Sequence, residues 1–266
     1  MDSVIKLMSE RFDALQLGFF RFAGGSVFAI ALWLWKRSPL PAREAWRLHA
    51  LRSALLLCSL LCYFYALTQL PLVQAMTISY LSPIFVAVLA VPVLGERPAG
   101  STWLALAAGL TGVLISVLPE LRASLSGAGS RHLLGMVSAA VAALAFSGVM
   151  LLARRQSGTD PIWTILLVQS VLPLCLLAAP ALWRWQPIRA GDVALILVAG
   201  GLGTFGLLCL TFAFTRLEAS RVVPLEYTGL VWGTGLGYMF FGELPTPATL
   251  ASAALIVGGC LLLLRR

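Results

Sequence analysis

The chain has 266 residues, of which 59% are hydrophobic and only 11% charged, and its mean hydropathy is +0.91, which excludes a soluble domain with a solvated surface. A net charge of +8, from 19 Lys and Arg against 11 Asp and Glu, would point to nucleic acid in a polar chain. Here the basic residues sit between apolar runs, where they mark the cytoplasmic ends of membrane spans, so no nucleic-acid partner is expected and the partners are membrane lipids.

A bilayer core about 30 Å thick needs about 20 apolar residues at 1.5 Å rise. Runs of that kind fall near 17–35, 50–68, 72–94, 101–118, 133–152, 162–183, 192–214, 219–241 and 248–264, which predicts nine spans of an all-α polytopic membrane protein. The N-terminal residues carry no apolar stretch of signal-peptide length. Connections such as Gln69-Leu-Pro71 and Gly242-Glu-Leu-Pro245 are short enough to make sequential helices antiparallel. The loop from Lys36 to His49 holds Lys36, Arg37, Arg43 and Arg47, with Arg52 just beyond, and is expected in the cytoplasm. Alternation from there puts the C-terminus in the cytoplasm as well. Cys58, Cys62, Cys175, Cys209 and Cys260 all lie in apolar runs and read as small hydrophobes. No metal site or cofactor is expected from them.

An internal repeat runs through the chain. A gapless shift of 147 positions aligns Ala66 with Ala213, Thr68 with Thr215, Leu70 with Leu217, Tyr80 with Tyr227, Gly95 with Gly242, Glu96 with Glu243 and Pro98 with Pro245. Five spans separate the two Gly-Glu-x-Pro copies, so the halves, 1–120 and 133–266, are expected to be inverted in the membrane. The helix at 133–152 has almost no partner in the first half under this offset. Val4 to Arg11 therefore reads as the stub of a first helix, and nine spans are present of an expected ten.

The pattern resembles the EamA-type branch of the drug/metabolite transporter superfamily. The likeness rests on the two five-helix halves and on Phe19-Phe-Arg21-Phe, Tyr63-Phe-Tyr65-Ala-Leu, and Ser82-Pro83 leading to Leu94-Gly95-Glu96-Arg97. In the second half it rests on Pro224-Leu-Glu226-Tyr227 leading to Gly242-Glu243. It implies a transporter in the bacterial cytoplasmic (inner) membrane. The substrate would be a small molecule, amino-acid-like or nucleotide-like, a vitamin, a metallophore or a drug. A homodimer is left open, as is the alternative of a shortened, non-transporting membrane protein.

Read from the residues, Glu226 is the carboxylate embedded deepest in an apolar span, and an ionisable group there is a functional-site candidate. Gly229, Gly233 and Gly237 follow at four-residue spacing and read as a close-packing face that turns Glu226 toward protein. It could bind a substrate ammonium or carry a coupling proton; the alternative is an interhelical carboxylate satisfied by Tyr, Ser or Arg. The repeat places Ser79 opposite it, and Tyr80 and Tyr227 beside the pair, either as cavity walls or as packing aromatics. Arg21 could neutralise Glu226, hold a substrate carboxylate or snorkel to the interface. Gln169, at mid-span, could orient a ligand or bridge two helices. Pro83 and Pro224, inside or near the start of matched spans, are hinge candidates. Glu96 and Glu243 read as solvated helix-end residues.

An enzyme is not expected. The histidines, His49 and His132, fall in predicted loops on opposite sides, and neither a His-Glu-x-x-His nor a Gly-x-Ser-x-Gly motif is present. The chain also lacks a phosphate-binding loop of the Gly-x-x-x-x-Gly-Lys type, so any driving force is a gradient.

Overall fold

The computed structural model describes residues 4, 8, 11–70, 75, 78–96, 98–125, 130–183, 185–229, 231, 232, 235, 239 and 247–264, and every regular element among them is helical. In chain order these are α1 (Ala14–Lys36), α2 (Ala45–Gln69), α3 (Ser82–Leu94), α4 (Gly100–Leu125), α5 (Ser130–Ser157), α6 (Ile162–Trp183), α7 (Ala190–Arg216), α8 (Ala219–Val222), a 3₁₀ turn (Val223–Tyr227) and α9 (Pro247–Leu264). An apolar chain in lipid must satisfy its backbone within each segment, and helices do this.

Five described helices are long and apolar enough to cross a membrane: Leu15–Lys36, Ala45–Ala66, His132–Ser157, Ile162–Trp183 and Ala190–Arg216. Shorter apolar helices, Ser82–Leu94, Gly100–Ile115 and Leu250–Gly259, fall within three more of the expected spans. The span expected at 219–241 lies partly outside the described residues, and so do Gly233, Gly237, Gly242, Glu243 and Pro245. Large apolar side chains remain exposed along the helices, among them Trp35, Leu104, Leu133, Trp183 and Phe205. Such a surface is compatible with lipid and not with water.

The chain folds into two compact units, one from Met1–Leu57 and Leu152–Arg216, the other from Cys58–Leu151 and Leu217–Arg266. Each draws on both sequence halves, so the compact units differ from the repeat halves.

In the first unit α1 packs on α6 and α7. Asp13 starts α1 by accepting the Leu15 N–H at 2.6 Å, and Arg37, at φ 48°, ends it with a left-handed cap. Met8, Phe12, Leu17, Phe20 and Ile196 form one core cluster, and Arg11 pairs with Asp192 at 2.7 Å. Arg154 donates to the Phe214 carbonyl in the last turn of α7, where a cation is favoured. Two loop carbonyls separated by the repeat offset are held alike: Thr164 Oγ1 donates to Pro39 O at 2.7 Å and Gln16 Nε2 to Gln186 O at 2.8 Å.

In the second unit α4 packs on α9, and the 3₁₀ turn lies against α3, α4 and α9. Ala87, Leu106, Val113, Tyr227 and Ile256 make its main cluster, while Ala66, Leu70, Ala75 and Ala139 make a second. Glu96 departs from the expectation of a solvated helix end. Its carboxylate accepts the backbone N–H of Ala219 at 2.8 Å, because the local N-cap of α8, Glu218, makes no side-chain cap bond and the first N–H groups of a helix need an acceptor. Glu96→Ala is expected to cost about 1 kcal/mol and Glu96→Gln much less, read as thermal unfolding in detergent.

Candidate functional site

The second unit holds the expected carboxylate. Glu226 is half-buried in the 3₁₀ turn, and Ser82 Oγ donates to its Oε2 at 3.4 Å. No cation among the described residues lies within ion-pair distance of it. Tyr227 is buried, and its hydroxyl donates to the Tyr80 carbonyl at 3.1 Å, with ring centroids 5.8 Å apart. The two tyrosines matched by the repeat therefore touch.

Two expectations need correction here. Ser79 does not partner Glu226: its Oγ turns back to the Ala75 carbonyl at 3.0 Å, one helical turn behind, as serine in a helix often does. Ser82, at the start of α3, takes the role instead. Gly229 is exposed, and among the described residues a Cβ there would meet only the Tyr80 hydroxyl, at 4.0 Å, which is not the contact of a close-packing face; Gly233 and Gly237 lie outside the described residues. Pro83 lies in the first turn of α3, where proline costs no helix hydrogen bond, and Pro224 follows α8 directly, as the second residue of the 3₁₀ turn that carries Glu226.

Arg21 and Gln169 belong to the first unit. With Phe22, Ser170, Gly200 and Thr204 they line a small open cleft. Arg21 faces this cleft, and its guanidinium also lies 4.8 Å from the Phe22 ring centroid. The cleft is bounded on one side by a contact between backbones. A Cβ on Gly200 would fall 2.3 Å from the Gly24 carbonyl carbon, and one on Gly24 2.4 Å from the Ile196 oxygen.

A polar cluster in the same unit escaped the sequence reading. His49, expected in a loop, lies in α2, which begins at Ala45 rather than near 50, and it is fully buried. Its Nε2 lies 3.0 Å from Asp160 Oδ2, and its Nδ1 lies 3.4 Å from Gln169 Nε2. Arg52, also buried, donates to Gln156 Oε1 at 2.9 Å. The available signal was the spacing of His49, Arg52 and Ser53, at i, i+3 and i+4, which puts three polar groups on one helix face.

An all-helical chain with lipid-compatible surfaces and a few polar groups held among apolar helices is a polytopic membrane protein. The model of the EamA-like transporter family matches residues 2–118 and 133–265, and the chain belongs to that family. It is 31% identical to the pseudopaline exporter CntI of Pseudomonas aeruginosa, over all of this chain and 91% of that protein. It is 23% identical to the S-adenosylmethionine uptake transporter of Rickettsia prowazekii, over 99% of this chain and 87% of that one. With the riboflavin transporter of Rhizobium johnstonii it shares 29% identity, over 97% and 83% of the two chains. A solved crystal structure shares the fold, with a TM-score of 0.82 at 20% identity over 96% of this chain and 89% of that one. The protein is a membrane transporter of the drug/metabolite type.

Proposed function

We propose that this chain is a gradient-driven transporter of the cytoplasmic membrane that moves a small amine-bearing metabolite by alternating access, with Glu226 receiving the substrate ammonium. The observation that carries this reading is the half-buried Glu226 carboxylate, with a single hydroxyl partner and no cation within ion-pair distance among the described residues. A carboxylate so placed favours a cation, because leaving such a group unpaired is costly. The rings of Tyr80 and Tyr227 supply apolar walls beside it. Relatives named for pseudopaline, S-adenosylmethionine and riboflavin supply the panel to screen.

The test is counterflow in proteoliposomes. Exchange of an amine-bearing solute such as S-adenosylmethionine is expected, and Glu226→Gln should weaken its apparent affinity by about 10- to 100-fold, the value of a charge-assisted hydrogen bond of about 1.5–3 kcal/mol. A transported solute without an ammonium should be affected far less. A coupling proton is the other occupant such a carboxylate takes. Exchange by Glu226→Gln that keeps its rate and loses its pH dependence would assign that role instead. Absence of exchange for every solute would overturn the transport reading.

A further inference from the structure

The cleft at Arg21 and the buried pair at His49 share one residue, Gln169. It lines the cleft, and its amide nitrogen reaches both His49 Nδ1, at 3.4 Å, and the His49 carbonyl oxygen, at 3.5 Å. A backbone carbonyl can only accept, so the amide must present its N–H groups on this side. His49 Nδ1 therefore accepts, and the ring proton of neutral His49 sits on Nε2, donating to Asp160 Oδ2 at 3.0 Å. The contacts on both sides of the ring define one tautomer.

We propose that His49 is a proton-binding site of this transporter and that Gln169 relays its state to the cleft at Arg21. The coupling part rests on the transport reading above. A proton arriving at Nδ1 turns that nitrogen from acceptor to donor, and it then opposes the Gln169 N–H. The amide turns over to offer Oε1 to the imidazolium, giving up its long 3.5 Å contact with the His49 carbonyl, and its N–H groups swing toward the cleft. With His49 neutral, Gln169 brings an acceptor to the cleft beside Arg21; with His49 protonated, it brings a donor. The second arrangement suits an anionic group such as a carboxylate, bound by the Arg21 guanidinium and the Gln169 amide together. Proton and anion then bind with positive coupling, as reciprocal linkage requires.

Two charged groups act on His49. Asp160, from the turn between α5 and α6, faces Nε2, and Arg52, one turn along α2, is the other charged group acting on the ring. The Trp46 ring lies 6.5 Å away, and Gln156 of α5 holds Arg52 by its Oε1. Neutral His49 leaves Arg52 and Asp160 balanced; protonation adds one positive charge next to the carboxylate that can share it. Gln169 alone of the cluster also borders the cleft.

The chain has 2 histidines, which makes the test direct. Full-length His132→Asn protein, labelled with ¹⁵N-histidine in lipid nanodiscs, leaves one imidazole to observe, with the cluster intact. The expected result is a neutral ring protonated on Nε2 at high pH and a doubly protonated ring at low pH, with the change between about pH 5 and 8. Adding Gln169→Leu should leave the neutral ring protonated on Nε2, where Asp160 still accepts from it, while moving the pH at which the second proton is taken up. A neutral ring protonated on Nδ1, or one that takes up no proton across that range, overturns the proposal. The coupling part is read in proteoliposomes: the pH dependence of exchange should flatten to less than about twofold in His49→Gln and persist in Glu226→Gln, a change that loss of the Nδ1 acceptor predicts. A dependence kept by His49→Gln and abolished by Glu226→Gln also overturns it. If no form exchanges any solute, the transport reading and the coupling role fall together, while the imidazole spectrum still decides the proton site.

Discussion

Gly200→Ala and Gly24→Ala are each expected to destabilise the first unit by about 1–3 kcal/mol, and Gly200→Val by more, seen as lost folded yield and earlier thermal unfolding in detergent. The reason is what the added methyl would strike. At Gly200 it would fall 2.3 Å from the Gly24 carbonyl carbon and the Gly25 nitrogen, and at Gly24 2.4 Å from the Ile196 oxygen. These are backbone atoms of packed helices and cannot rotate aside, so α1 and α7 must separate. Separation would also stretch the bond from Thr204 Oγ1 to the Gly25 carbonyl, now 3.2 Å, and widen the cleft at Arg21. Close helix approach through small residues is a main source of association energy in lipid, so the loss falls on folding and on the cleft together. The double substitution should cost less than the sum of the two, because one separation relieves both clashes. Gly206→Ala is the control. Among the described residues a Cβ there meets nothing within 4 Å, and alanine should gain up to about 1 kcal/mol of helix propensity.

The glycine contact shows where the sequence is legible and where it stops. Apolar run length fixed the helices well, because lipid demands about 20 apolar residues whatever the neighbours are. The gapless repeat also carried far: Tyr80 and Tyr227, paired by offset alone, meet in the second unit. What the sequence hid was rotation about each helix axis. Ser79 and Ser82 are both plausible partners for a carboxylate, and only helix placement shows that Ser79 bonds to its own turn. The glycines after Glu226 looked like a packing face by spacing, yet Gly229 is exposed, while Gly24 and Gly200, far apart in sequence, pack backbone to backbone. His49 was misread for a related reason. Its neighbours Arg43, Glu44 and Arg47 made the stretch look like a wet loop, but the helix begins at Ala45 and buries one polar face against Asp160, Gln156 and Gln169. Burial paired with hydrogen bonds cannot be seen in hydropathy.

Gly109→Ala should strike the second unit at the tyrosine beside Glu226. A Cβ at Gly109 would lie 2.2 Å from Tyr227 Cδ2 and 2.7 Å from Cε2, so the ring rests on the bare backbone of α4. The ring is 1% exposed and enclosed by Ala87, Leu106, Val113 and Ile256, which leaves it little room to retreat. To accommodate the methyl it must shift by about 1 Å, which breaks its hydroxyl bond to the Tyr80 carbonyl and tilts the 3₁₀ turn carrying Glu226. Overpacking of this kind costs about 1–3 kcal/mol, and misplacement of a binding group by about 1 Å can lower turnover about 100-fold. Tyr227→Phe separates the two contributions, since it keeps the ring and removes only the hydroxyl; it should cost about 1 kcal/mol and leave exchange near its original rate. Tyr227→Ala in the Gly109→Ala background removes the atoms that clash, so the double variant should unfold later than the sum of the single effects predicts. Additive losses would mean that the methyl is accommodated by α4 moving instead, and that Tyr227 does not fix the position of Glu226.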